Sequence, residues 1–213
     1  MKIKTFVVNP FQMNSYVYYC ENSGEGMAID PGYYTKYEQD EIVDFLNEHR
    51  IRIKYIINTH GHVDHVLGND FAEEQFGVNS YLHADDLFLY ERAEQQGLLY
   101  GINVGRLPAI KNFLSENDVF RLGGNTVKVI HTPGHSPGGV CLYDSTEKII
   151  FCGDLVFSQS IGRTDLPGGD YDTLIGSIKK KLFNVFDDDY RLFPGHMEYT
   201  TIGRERADNP FLK

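Results

Sequence analysis

The 213-residue chain has no excess of positive charge, with 20 Lys and Arg against 30 Asp and Glu, a formal balance of −10. An acidic surface carries no electrostatic footprint for a polyanion, so nucleic acid is not an expected partner. It also lacks an apolar run of membrane length. The short apolar stretch after Met1-Lys2-Ile3-Lys4 is interrupted by Asn9-Pro10, too soon for the core of a signal peptide. The expectation is a cytoplasmic protein with no membrane partner. Cysteines number three, without the spacing of a disulfide framework, which fits a reducing compartment. Cys20, Cys141 and Cys152 sit in apolar strand-like contexts and read as buried free thiols rather than nucleophiles. Linkers, low-complexity tracts and repeats are absent too, so residues 1–213 are expected to form one domain, whose 41% hydrophobic content can bury a sizeable core.

What the chain does have is the run Thr59-His60-Gly61-His62-Val63-Asp64-His65, directly after the apolar stretch Ile53-Lys54-Tyr55-Ile56-Ile57. This reads as a strand emptying into a loop. Gly61 permits a tight turn, so that His60 and His62 can converge on one ion while Asp64 and His65 point elsewhere. Crowding imidazoles and a carboxylate together is costly unless a cation offsets it. One metal cannot easily take all four side chains; two adjacent metals can. Three further donors follow apolar runs in Gly- or Pro-containing turns: His135 in Thr132-Pro133-Gly134-His135, Asp154 in Gly153-Asp154, and His196 in Pro194-Gly195-His196. Loops held by a rigid sheet are good places for ligands. Imidazole and carboxylate donors suit zinc, iron or manganese.

Patterning predicts early strands at Ile3–Val8, Ser15–Cys20 and Met27–Asp30, and a helix over Asp40–Glu48 with Ile42, Val43, Phe45 and Leu46 on one face. A second helix is expected over Asn69–Phe76, then a strand at Val78–Leu82. The second half alternates strands and ligand turns before a helix at Tyr171–Phe183. Two such halves argue for two sheets with helices outside. Residues 84–115 read as a helical excursion, either a lid over the metals or a packed cover. His49 reads as structural at a helix end, and His83 and His131 as partners in strand-end hydrogen bonds. Asp30 is expected to orient the ligand turn from behind.

In order along the chain, Ile29-Asp30-Pro31-Gly32, Thr59 to His65, Thr132 to His135, Gly153-Asp154 and Pro194-Gly195-His196 resemble the metallo-β-lactamase superfamily. Within it, Ser160-Ile161-Gly162-Arg163-Thr164-Asp165 and the ending Thr200 to Arg206 with Asn209-Pro210-Phe211 are similar to the short glyoxalase II-like hydrolases. The resemblance implies an αββα sandwich of two mixed sheets flanked by helices. It implies that His60, His62 and His135 hold a first metal, that Asp64, His65 and His196 hold a second, and that Asp154 bridges both. The expected cofactors are two divalent ions, zinc first, with iron or manganese as alternatives. Asp64 and Asp154 are the expected catalytic carboxylates. Arg163 and Tyr199 are candidates to contact substrate; Arg163 could equally pair with Asp165, and Tyr199 could simply pack.

The implied activity is hydrolysis of a small acyl thioester, such as an S-acylglutathione-like metabolite, by a metal-bound hydroxide. Two alternatives stand beside it. One is a mononuclear iron persulfide dioxygenase using His60, His135 and Asp154 as a 2-His-1-carboxylate set. The other is a non-catalytic metal-binding module. The chain departs from the longer glutathione-thioester hydrolases by ending at Lys213, soon after His196, so their C-terminal glutathione-contacting region is expected to be missing. Hydrolysis of β-lactam antibiotics is not expected.

Overall fold

A computed structural model describes residues 1–213. The chain falls into two compact units, residues 1–114 with 121–125, and residues 115–120 with 126–213. No helix is long and apolar enough to cross a membrane.

Unit 1 is built on a six-stranded sheet: β1 (Lys2–Val8), β2 (Met13–Tyr19), β3 (Glu25–Ile29), β4 (Arg52–Ile57), β5 (Ser80–His83) and β6 (Asn112–Leu114), hydrogen-bonded in that order. The first three strands form an antiparallel meander, and β3 to β6 run parallel. Parallel strands need crossover connections, and the helices supply them. Helix α1 (Lys36–Glu48) buries Ile42 and Leu46 in a core with Phe6, Val17, Ala28, Ile53 and Ile56. It begins earlier than the apolar face suggests because Thr35 and Glu38 form a capping box. Short α2 (Val63–Val66) follows β4, and α3 (Asn69–Phe76) ends at Gly77 with φ 70°. Strand β5 then starts two residues later than Val78.

The excursion after β5 is helical only in its first half: a 3₁₀ turn at Ala84–Asp86, α4 (Leu87–Tyr90) and α5 (Ala93–Leu99). Tyr90, Ala93, Ile102 and Val104 share a small core with Val63, Val66 and Leu67. Beyond Tyr100 the chain has no regular structure until β6.

Unit 2 carries most of a second six-stranded sheet, in the order β14 (Thr200–Thr201), β13 (Arg191–Pro194), β10 (Ile149–Gly153), β9 (Val140–Asp144), β8 (Asn125–His131) and β7 (Val119–Leu122). Strands β10 and β13 are parallel, and β8, β9 and β10 alternate in direction. A small hairpin pairs β11 (Val156–Phe157) with β12 (Ser160–Ile161). Helix α6 (Tyr171–Gly176) widens into a π-helical stretch over Ser177–Phe183, and α7 (Ile202–Asp208) follows β14. Leu174, Ile178, Leu182 and Ile202 pack with Cys141, Ile150, Cys152 and Leu192. Both sheets are mixed and both have helices on a face, the α/β arrangement expected.

Candidate metal centre

In unit 1 the chemistry gathers where β3, β4 and β5 end, at the carboxyl edge of three adjacent parallel strands. Asp30 follows β3, residues 58–65 follow β4, and Ala84–Asp86 follow β5. That edge is where open α/β sheets leave room for ligands. His60 and His62 face each other with ring centroids 4.8 Å apart, nearly perpendicular, and the His65 ring lies 4.0 Å from that of His60. His65 Nε2 is 3.7 Å from Asp64 Oδ2.

The support beneath this cluster is dense. Asp30, 1% exposed, accepts hydrogen bonds from the Thr59 amide (2.6 Å) and hydroxyl (2.7 Å), and its Oδ2 lies 3.0 Å from His65 Nδ1. Its φ of 51° puts it in the left-handed region as the chain leaves β3. Nδ1 of His65 faces the Asp30 carboxylate while Nε2 faces Asp64. Asn58 donates its amide to the His65 carbonyl, and Asn9 does the same for the Asp64 carbonyl.

Unit 2 contributes one donor from each of three turns. His135 follows β8, Asp154 follows β10 and His196 follows β13, and those strands all run the same way. Asp154 Oδ2 lies 3.6 Å from His135 Nε2 and 3.6 Å from His196 Nε2. His135 Nδ1 donates to the Arg163 carbonyl at 2.8 Å, which again directs Nε2 toward the carboxylate. Two glycines permit this packing. At Gly134, φ is 137° and a Cβ would stand 2.3 Å from the backbone of Leu174; at Gly162 a Cβ would stand 1.8 Å from the Asp154 carbonyl oxygen.

The donor set is imidazole nitrogen and carboxylate oxygen without thiolate, which fits zinc, iron or manganese. Burial raises the Cys152 thiol far above its ordinary range and the Cys141 thiol to about 12, so neither offers a thiolate. Cys20 corrects the expectation of a third buried thiol. It is only half-buried, just past β2, and hydrogen bonds from Ser23 lower its pKa.

Among the other residues singled out by the sequence, Arg163 turns its guanidinium to Asp165 in a two-point pair, 2.7 and 2.8 Å, which holds that carboxyl down to about 2. Tyr199 is exposed and stacks on Phe193 at 5.8 Å. His49 Nδ1 meets the Phe45 carbonyl, His131 Nε2 meets the Pro137 carbonyl, and His83 Nδ1 meets the Asp85 amide. Sequence reasoning missed Asp86 and Gln96, whose side chains receive backbone N–H groups of the ligand turn. Their residue types give no pattern to read.

The model of the metallo-β-lactamase superfamily matches residues 8–196. The chain belongs to that superfamily. The Haemophilus influenzae hydroxyacylglutathione hydrolase GloC is 35% identical over 100% of this chain and 98% of its own. Among solved structures, the BLEG-1 B3 metallo-β-lactamase matches with a TM-score of 0.87, 33% identity and full coverage of both chains. TTHA1623 in a di-iron-bound form matches with a TM-score of 0.86 and 35% identity, covering 98% of this chain and 100% of that one. The fold is therefore the α/β sandwich of the superfamily, and the chain is a metallo-hydrolase in the broad sense its relatives share.

Proposed function

We propose that the protein hydrolyses a small acyl thioester of the S-acylglutathione type at a two-metal centre. The observation that carries this reading is Asp154, whose single Oδ2 atom stands 3.6 Å from both His135 and His196. A carboxylate shared evenly by two histidines suits a bridging ligand. His60, His62 and His135 are assigned to one ion, and Asp64, His65 and His196 to the other. Within each unit the donors stand together, His60, His62 and His65 by ring contact and His135, Asp154 and His196 by the shared carboxylate, which supports a metal site built from both sets. Divalent ions, if held by these residues, would supply an activated water and a Lewis acid for the developing oxyanion.

The chain's own residues then have distinct tasks. The Arg163 carbonyl keeps the proton of His135 on Nδ1, so that it presents Nε2, and the Asp30 carboxylate lies 3.0 Å from His65 Nδ1. Asp64 is assigned to orient the attacking water by accepting its hydrogen bond. Nucleophilic catalysis by Cys141 or Cys152 is disfavoured by the raised pKa of both thiols. The relation to a hydroxyacylglutathione hydrolase over the whole chain supports the thioester class. With Arg163 held by Asp165, a direct contact from its guanidinium to substrate is not part of this proposal.

Elemental analysis of the purified protein, run beside assays of thioesters, a β-lactam and a persulfide with oxygen uptake, tests the reading. Two zinc ions per chain with thioester turnover is the expected result. One iron with oxygen consumption would replace it by the dioxygenase built on His60, His135 and Asp154. Turnover of the β-lactam alone would replace it by an antibiotic hydrolase, a reading favoured by the BLEG-1 likeness.

A further inference from the structure

Two backbone N–H groups of the ligand turn are held by side chains from the excursion after β5, whose purpose the sequence leaves open. The Gly61 amide donates to Asp86 Oδ2 at 2.9 Å, and the Val63 amide donates to Gln96 Oε1 at 3.2 Å. Gln96 is itself fixed, because its Nε2 donates to the Leu89 carbonyl at 2.7 Å. His62 lies between the two anchored amides, and His60 immediately precedes the first. The approach is close enough that a Cβ on Gly61 would stand 2.7 Å from the Asp86 carbonyl oxygen and 3.1 Å from Leu89 Cβ. Asp86 is 0% exposed, and a carboxylate so far from water is costly unless hydrogen bonds and nearby positive charge compensate it.

We propose that residues 84–99 are a clamp, with Asp86 and Gln96 as positioning residues that hold the His60-Gly61-His62 turn in its ligating shape before a metal arrives. The inference rests on the reading of His60 and His62 as metal ligands. Gly61 makes the close approach of Asp86 and Leu89 possible and also makes the turn loose in isolation, because glycine has more backbone freedom to lose than any other residue. Fixing the amides on either side of His62 removes that freedom during folding rather than at metal binding, which raises affinity by preorganisation. The segment thereby acts on the ligands from behind, through their backbone.

Full-length protein stripped by a chelator and titrated with zinc against a chromophoric competitor tests the clamp. Gln96→Ala and Asp86→Ala should each weaken zinc binding about tenfold or more, the usual cost of losing a group that orients a ligand. Asp86→Asn keeps an oxygen acceptor and should recover part of that loss. With zinc saturating, kcat should fall while KM changes little. A residue that only stabilised the fold would lower the melting temperature and leave zinc affinity at 25 °C unchanged. Should Asp86→Ala not fold, Gln96→Ala on the half-buried face of α5 decides. Unchanged zinc affinity in Gln96→Ala, alongside loss of a zinc in His60→Ala, overturns the clamp. Unchanged zinc binding in His60→Ala overturns the metal reading beneath it.

Discussion

His65 is wholly buried, whereas His196 keeps 24% of its side chain exposed, and the contrast runs through the two halves of the donor set. Unit 1 offers its donors from one continuous turn, whose Thr59, Gly61 and Val63 amides and Asp64 and His65 carbonyls are held by Asp30, Asp86, Gln96, Asn9 and Asn58. Unit 2 offers one donor from each of three turns, held by close backbone approach at Gly134 and Gly162. Crowded ligands repel and desolvate one another, so the continuous turn needs a surrounding shell of acceptors and donors. Separated ligands need only a rigid sheet edge. The first half is therefore sensitive to lost polar partners, and the second to added bulk.

The largest effect should come from Asp154→Ala. Removing the oxygen shared by His135 and His196 should abolish thioester hydrolysis and lower the content of both metals, read by elemental analysis and steady-state kinetics. Full activity would remove its bridging assignment. Gly162→Ala should come next, through bulk alone. Its Cβ meets the Asp154 carbonyl, so the strand hairpin must shift, with a loss on the order of 3 kcal/mol visible in denaturant midpoints. A stability within error of the parent would show that unit 2 tolerates what the geometry forbids.

His65→Ala separates the halves further. One ion should be lost or weakened while the other stays partly occupied, and hydrolysis should slow at least tenfold. Unchanged metal count and unchanged rate would sink the two-metal assignment. The smallest effect concerns thiols. Between pH 7 and 8 a thiol-reactive probe should label Cys20 first, because its lowered pKa gives more thiolate as pH rises through that range. Cys141, pushed up to about 12, and Cys152 stay protonated and buried, and should label only on unfolding. Equal labelling rates in the native protein would contradict this order.

The donor residues were legible because their side-chain types and their crowding are themselves the signal: four potential ligands between His60 and His65 have few other uses. Asp30 was legible for a related reason, standing at a strand end in a Pro-Gly turn. Asp86 and Gln96 were not, since accepting a backbone N–H needs only an oxygen within reach, and reach is a property of the fold. The start of α1 was written in Thr35-Lys36-Tyr37-Glu38, but periodicity weights the apolar face beginning at Ile42 and overlooks polar caps. Cys20 looked buried because its strand is apolar. It lies one residue beyond the end of β2, past the last of that strand's uniformly buried positions.

Three carbonyls of the turn before His135 are claimed by one neighbouring helix and its cap. Ser177 donates its hydroxyl to the Pro133 carbonyl, Lys181 its ammonium to that of His131, and the Asp170 amide to that of Gly134. Ser177 and Lys181 both lie in the π-helical stretch, whose backbone hydrogen bonds are spaced differently from those of an α-helix. Opening that helix therefore unfastens the turn, and fixing the turn holds the helix shut. Occupancy at His135 should thus be audible at a distance, as slower deuterium uptake across residues 171–183.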